Sequence, residues 1–223
     1  MSLWPMRMFD PQAGFEILER KLPHWSQAGT VCFITWRTRD SIPASVLNRW
    51  FGDRDAWLLR HGIDPKNASW KEQFRELEPT LQSGFLRTFS ERWHRSLDSC
   101  YGACALRRPE LSSIVFDSLL KFDGDRYEMT DFVVMPNQVH LLAAFANEDG
   151  MLTQCEGWKH YQAVQINRVL GTSGRFWQQD GFDHLVRSIE QFEALRRYIA
   201  GNPKKSRLQE RQFRQYSKIL SKD

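Results

Sequence analysis

The chain has 223 residues, enough for one fair-sized domain or a domain with additions, and its 41% hydrophobic and 26% charged residues are ordinary for a soluble globular protein. It contains no apolar run of transmembrane length and no apolar signal-peptide core, so we expect a cytoplasmic protein with no membrane partner. The net charge of +4 and the pI of about 8.9 favour an anionic partner.

The first half of the chain is predicted to contain three helices, one strand and a charged, irregular stretch at 52–80. Residues 1–21 have no clear period and are interpreted as an arm or a short leading helix. One strand is expected at 30–36, where β-branched and aromatic residues run together. Apolar residues at helical spacing predict one helix around Trp50 and two more at about 80–96 and 110–122.

An antiparallel hairpin is predicted from two apolar strands, 126–134 and 138–145, which are separated by a turn at Pro136. Side chains alternate along a strand, so Gln138 and His140 project from the same face. Burying two polar side chains on a strand costs free energy unless they form hydrogen bonds or bind a ligand. They are either a strand-end cap and a hydrogen-bonded histidine, or two ligands of one divalent cation.

Two helices are expected after the hairpin, at about 152–170 and 188–200, and a Gly-Asn-Pro sequence predicts the end of the second one. This helix carries Tyr198 and Asn202, whose spacing of four places both on one face. Asn202 alone is explained as part of the helix stop, and Tyr198 as a rim aromatic. However, eight Lys or Arg residues and one Glu lie between 196 and 218, and a tyrosine hydroxyl in such surroundings is placed to meet a phosphate. The basic tail that follows is compatible with a helix.

Five blocks of the sequence stand out together. They are Leu22-Pro-His-Trp25 with Val31-Cys-Phe-Ile-Thr-Trp36, Val134-Met-Pro-Asn-Gln-Val-His-Leu142, Trp158-Lys159 with Ile166-Asn167, Phe176-Trp-Gln-Gln-Asp-Gly-Phe-Asp-His184 with Val186-Arg187, and Arg197-Tyr-Ile-Ala-Gly-Asn-Pro203. In this order and spacing they resemble the single-tyrosine HUH transposases and, within that group, the REP-associated tyrosine transposases. The resemblance spans roughly 22–208, with poor matching in 52–110.

The resemblance implies an α+β fold, in which a ferredoxin-like antiparallel sheet is sandwiched by helices. It divides the chain into an N-terminal arm at 1–21, a transposase-like domain at 22–208 with a helical insertion at about 52–110, and a basic C-terminal tail at 209–223. The implied activity is cleavage and strand transfer of single-stranded hairpin DNA, with Tyr198 as the nucleophile that forms a 5′-phosphotyrosine. The implied assembly is a monomer or a homodimer.

The metal motif of that family is two histidines flanking an apolar residue, and Gln138 stands here in place of the first histidine. The implied ligands are His140, Gln138 and Asn202, and their amide oxygens favour Mg²⁺ or Mn²⁺ as the cofactor. The missing histidine leaves two other functions open, which are a non-catalytic binder of structured single-stranded DNA or RNA and a metal-free relic with a structural or regulatory role. The residues expected to bind DNA are Lys159, Arg168, Trp177, Arg187, Arg197, Lys204, Lys205 and Arg207, with Trp177 stacking on an unpaired base.

Overall fold

The computed structural model describes residues 6–13, 16–19, 23–98, 101–179 and 181–219. It divides the chain into two compact units, the first formed by Met1–Arg39 and Ala103–Asp223 and the second by Asp40–Gly102. In the part of the chain that is described, no helix is long and apolar enough to cross a membrane.

The secondary structure mixes seven strands and six α-helices over these described residues. In chain order they are β1 (Glu16–Glu19), β2 (Pro23–Ser26), β3 (Val31–Arg37), α1 (Ala44–Arg60), α2 (Trp70–Arg75), α3 (Pro79–Asp98), a 3₁₀ turn (Ala105–Arg107), α4 (Pro109–Leu120), β4 (Tyr127–Met135), β5 (Gln138–Phe145), α5 (Glu148–Leu170), β6 (Phe182–Leu185), α6 (Ile189–Lys205) and β7 (Arg214–Ser217).

The first unit is built on a five-stranded antiparallel sheet with the order β6-β3-β5-β4-β7. Within it, β3, α4, β4, β5, α5 and β6 follow one another as a βαββαβ unit. Numbered along the chain, its four strands lie in the order 4-1-3-2, which is the ferredoxin-like arrangement. The predicted α+β fold class is therefore confirmed, and β7 extends the sheet beyond β4.

Helices cover both faces of this sheet, which explains why β4 and β5 are buried along their whole length. On one face α4 and α5 pack over the main core, where Trp158 of α5 contacts Tyr127, Phe145 and Trp36. On the other face α6 packs against β4 and β5. Because strand side chains alternate, Gln138 and His140 lie under α6 rather than in the main core.

Helix α6 continues to Lys205, so the helix end predicted at Gly201-Asn-Pro203 is wrong. Gly201 is not among the glycines with positive φ, and therefore it does not form the expected left-handed cap. Pro203 removes one helical hydrogen bond, but Asn202 and Pro203 are both buried. The chain leaves the helix at Arg207, whose φ is 55°.

Three of the short strands fall where the sequence predicted none. Strand β6 lies at one edge of the main sheet. Strand β7 lies at the other edge, within the basic tail, whose sequence is compatible with a helix. Strand β1, which pairs with β2, lies within the predicted N-terminal arm. All of them are four residues long, too short for their residue pattern to be distinctive.

The second unit contains α1, α2 and α3, and its core is aromatic. Phe85 is the centre, with its ring centroid 4.6 Å from that of Trp57, 4.9 Å from that of Phe74 and 4.5 Å from that of Phe89. The helices predicted around Trp50 and at about 80–96 are confirmed as α1 and α3. The prediction of an irregular stretch at 52–80 is wrong in part, because α1 continues to Arg60 and α2 lies at Trp70–Arg75. This unit runs from Asp40 to Gly102, and the insertion expected at about 52–110 stays a prediction.

A partly buried ion pair fixes α6 to the sheet. Arg196 Nε donates to Asp131 Oδ2 on β4 at 2.8 Å, and its Nη2 donates to Ser217 Oγ on β7 at 3.1 Å.

Replacing Arg196 with methionine would leave the nearly buried carboxylate of Asp131 without this cation, so we expect the free energy of unfolding to fall by about 3 kcal/mol. The measurement is urea unfolding. The exposed neighbour Arg197, also changed to methionine, is the matched control, with an expected change within about 0.5 kcal/mol.

Candidate functional site

The site lies on the face of the sheet that α6 covers. The pairing of β3 with β5 places Thr35 directly opposite His140 and Arg37 directly opposite Gln138. Residues paired in this way share a face, so the ends of the two strands present four polar side chains side by side. The two predicted residues on β5 therefore have partners on β3 that sequence reasoning did not assign to the site.

His140 is held as a neutral imidazole. Its Nδ1 lies 2.7 Å from Thr35 Oγ1, while its Nε2 is buried and has no hydrogen-bond partner among the described residues. Burial lowers the pKa of His140 to about 3, and the positive charges of Arg37 and Lys205 act in the same direction. If Nδ1–H donates to Thr35, the lone pair of Nε2 is left for a cation, as in many metal-binding histidines.

Tyr198 lies over this histidine. The two ring centroids are 5.4 Å apart and the rings meet edge to face at 83°. Phe33 forms the adjoining wall, with its ring centroid 5.9 Å from that of Tyr198 and 6.0 Å from that of His140. Tyr198 is 36% exposed and His140 is 2% exposed, so the tyrosine is the member of the pair that a large substrate reaches. The predicted convergence of these two side chains is confirmed.

Gln138 and Asn202 contribute buried amides to the same face. Gln138 Nε2 lies 3.4 Å from Met135 Sδ, which leaves Gln138 Oε1 without a partner in the described structure. Asn202, one turn beyond Tyr198 on α6, is 1% exposed, and neither its Oδ1 nor its Nδ2 has a partner among these residues. Buried amide groups are normally hydrogen-bonded, so both side chains are candidates for contact with a ligand.

The donor types suit a hard divalent cation, but the set carries no negative charge. One imidazole nitrogen and two amide oxygens are acceptable ligands for Mg²⁺ or Mn²⁺. Among the residues that the structure describes, no group of three or more His, Cys, Asp or Glu side chains could hold a metal ion. A cation at His140, Gln138 and Asn202 would therefore have to find its charge compensation elsewhere.

His184 is a further residue on this face that sequence reasoning did not assign to the site. It lies on β6 opposite Phe33, and the two ring centroids are 5.4 Å apart. Burial lowers the pKa of His184, and the charge of Arg187 acts in the same direction. The alternation of side chains along the strand 30–36 could have predicted that Phe33 and Thr35 share one face. No comparable signal existed for His184, since β6 itself was not predicted.

Of the eight residues predicted to bind DNA, Arg187 is exposed between β6 and α6 and Trp177 is buried. The other six fall into two groups. Arg197, Lys204, Lys205 and Arg207 are exposed on α6 or just beyond it, on the element that carries Tyr198. Lys159 and Arg168 lie on α5, which covers the opposite face of the sheet. Lys159 lines a cavity of about 470 Å³ there and donates from Nζ to the carbonyl oxygen of Gln179 at 2.6 Å.

The stacking role predicted for Trp177 is wrong. Its indole is only 2% exposed and packs edge to face against Trp36, with 6.2 Å between the ring centroids. A side chain enclosed in this way has no free ring face to offer a base. The sequence could not distinguish stacking on a base from packing in the core, because a tryptophan in a loop is compatible with both roles.

The chain was compared with protein families, curated proteins and solved structures. No protein-family model and no curated protein matches the chain. A solved structure described as "Structure of the REP associates tyrosine transposase bound to a REP hairpin" matches with 14% sequence identity and a TM-score of 0.43, over 82% of this chain and 71% of that one.

The low pKa of His140 predicts that acid destabilises the protein. Below its ordinary pKa of 6.5 the unfolded chain takes up a proton that the folded chain does not accept until about pH 3. The free energy of unfolding should therefore fall as the pH drops through this range, by up to about 1.4 kcal/mol per pH unit from this group. Urea unfolding between pH 7 and pH 4 measures the slope. His140→Gln should flatten it, whereas the same change at the exposed His160 should not.

Proposed function

We propose that the chain is a single-stranded DNA endonuclease and transposase that acts on hairpin DNA through a covalent phosphotyrosine at Tyr198. The observation that carries this proposal is the contact between the partly exposed Tyr198 and the buried, neutral His140, with its Nε2 left open. Tyr198 lies on a helix rich in exposed cations and on the same face as a histidine and two unpartnered amides. This arrangement suits nucleophilic attack on a phosphodiester.

The proposed reaction exchanges one phosphate ester for another. The phenolic oxygen of Tyr198 forms a bond to phosphorus, the phenolic proton passes to solvent, and the bond from phosphorus to the 3′ oxygen breaks. The released 3′ oxygen takes up a proton, and the 5′ phosphate stays on the tyrosine. Because the number of ester bonds is unchanged, a second strand can later displace the tyrosine without an external energy source.

His140 is proposed to act as a ligand rather than as the general base. A pKa of about 3 makes the imidazole too weak a base to take the proton of a phenol efficiently. A divalent cation bound to His140 Nε2, Gln138 Oε1 and Asn202 Oδ1 would supply Lewis-acid stabilisation of charge on the phosphate. Thr35 fixes the orientation of the imidazole, and Phe33 fills the space beside it.

The test is incubation of a labelled hairpin oligonucleotide with the protein and Mg²⁺ or Mn²⁺, followed by denaturing electrophoresis. A covalent protein–DNA band with a matching free 3′-hydroxyl product supports the proposal.

The second candidate function is a non-catalytic binder of structured single-stranded DNA. It is favoured by the uncharged donor set and by the glutamine at 138, and it predicts tight hairpin binding with no covalent band at any metal concentration.

Both functions predict that phosphate contacts dominate binding. The affinity for a hairpin should fall steeply with salt, by roughly one power of salt concentration per phosphate contacted, and should exceed the affinity for plain duplex. Arg197→Gln should lower the slope by about one, whereas Lys121→Gln, an exposed cation beyond α4 on the other face, should leave it unchanged. Fluorescence anisotropy at several salt concentrations measures this. A flat salt dependence, or equal affinity for duplex, would contradict phosphate-dominated hairpin binding.

A further inference from the structure

A cavity of about 470 Å³ lies on the face of the sheet opposite Tyr198, within the first unit. Its walls come from β3, α5, β6 and the segment 174–179. The volume falls in the range of about 300–1,000 Å³ that is typical of small-ligand pockets. None of the residues proposed to take part in DNA cleavage lines it, so the cavity is a separate site.

The segment 174–179, which forms one wall of the cavity, is held from two sides. On the sheet side, the backbone N–H of Arg39 donates to the carbonyl oxygen of Phe176 at 2.8 Å. On the helix side, Lys159 Nζ donates to the carbonyl oxygen of Gln179 at 2.6 Å. Because the wall is bonded both next to β3 and to α5, the cavity is a preformed feature of the fold.

Two buried hydrogen-bond donors belong to the residues that line this cavity. Trp36 is 1% exposed and Trp177 is 2% exposed, and the Nε1 of each has no hydrogen-bond partner in the described part of the chain. Buried indole N–H groups normally have one, as Trp158 does when its Nε1 donates to the carbonyl oxygen of Ser118 at 3.1 Å. A ligand that brings hydrogen-bond acceptors into the cavity is therefore favoured.

The rest of the lining indicates a neutral, flat ligand. The charged side chains are two carboxylates and two cations, namely Glu156, Asp183, Lys159 and Arg175. Because both signs are present, an ionic ligand would meet repulsion as well as attraction. The apolar walls are Ile34, Met151, Leu152, Ala163 and Phe176. Nucleobases suit such a lining, because they are neutral planar rings with hydrogen-bonding atoms along their edges.

We propose that this cavity binds a nucleobase, with the indole N–H of Trp36 or Trp177 donating to a carbonyl or ring-nitrogen acceptor of the base. The base belongs either to a free nucleoside or to an unpaired position of a DNA strand. This role differs from stacking, since the N–H lies on the edge of the indole and not on its face. The inference does not rest on cleavage at Tyr198.

The test follows the indole N–H signals of the whole chain by heteronuclear NMR. Nine tryptophans give nine such signals, and Trp36→Phe and Trp177→Phe assign the two of interest. Titration with deoxynucleosides should move at least one of these two signals along a saturable curve, with a dissociation constant below about 1 mM. The signal of Trp158, whose N–H is already bonded to Ser118, should stay in place.

A second titration identifies the source of the base. It uses a hairpin oligonucleotide with an unpaired base and the same hairpin with an abasic residue at that position. If the intact hairpin moves the Trp36 or Trp177 signal and the abasic hairpin does not, the base comes from DNA. If only the nucleosides move it, the ligand is a free base.

Ala163→Phe fills the cavity from α5 and should abolish these shifts. Ala163→Leu, a smaller change that is easier to accommodate, should weaken binding several-fold. Thr153→Phe, at an exposed position of the same helix outside the lining, is the matched control and should keep the shifts. Thermal melts verify folding of each variant.

The inference is overturned if neither nucleosides nor the hairpin moves the Trp36 or Trp177 signal. It is also overturned if the affinity is unchanged in a folded Ala163 variant. A wild-type protein that does not bind the hairpin would overturn the proposed function, whereas the nucleoside titration would still decide the inference.

Discussion

Replacing Tyr198 with phenylalanine is expected to abolish the covalent protein–DNA adduct while hairpin affinity stays within about twofold. The substitution removes only the phenolic oxygen, which is the proposed nucleophile, and keeps the ring that packs on His140 and Phe33. The measurement pairs denaturing electrophoresis of a labelled hairpin with anisotropy on the same preparation.

Tyr161→Phe is the matched control for this experiment. Tyr161 is an exposed tyrosine on α5, the helix on the opposite face of the sheet, and its loss should leave adduct formation unchanged. An adduct that persists in Tyr198→Phe would show that another group attacks the phosphate. An adduct lost in both variants would point to damaged folding rather than to a nucleophile.

Gln138→His is expected to lower the metal concentration needed for cleavage by on the order of 10–100-fold, by analogy with the loss of supporting contacts at metal sites. An imidazole nitrogen is a stronger donor than an amide oxygen, and position 138 lies on the same strand face as His140. Hairpin affinity measured without metal should not rise. Metal titrations of the cleavage rate, with thermal melts to verify folding, measure the effect.

The matched control is Gln165→His on α5, away from the site face, which should not alter the metal requirement. If Gln138→His leaves cleavage unchanged while Tyr198→Phe abolishes it, Gln138 is not a limiting ligand. If neither the wild type nor Gln138→His forms an adduct at any metal concentration, the protein is a hairpin binder without cleavage activity.

The sequence by itself determined the long elements and the spacing of the candidate residues. The hairpin followed from two apolar runs broken at Pro136, and its observed strands lie within about one residue of the prediction. The long helices followed from apolar periodicity, which operates within a single element. For the same reason, the shared face of Gln138 and His140, and that of Tyr198 and Asn202, needed no knowledge of the rest of the chain.

The tertiary structure alone decided how those elements meet and which local signals were overridden. Strands β6 and β7 form because the edges of β3 and β4 offer hydrogen-bonding partners. A pattern of four residues is too short to predict this pairing. Because Asn202 and Pro203 are buried, α6 continues through a sequence that normally ends a helix. The pairing register of β3 with β5 brought Thr35 and Arg37 to the site, because register depends on contacts between residues more than 100 positions apart in the chain.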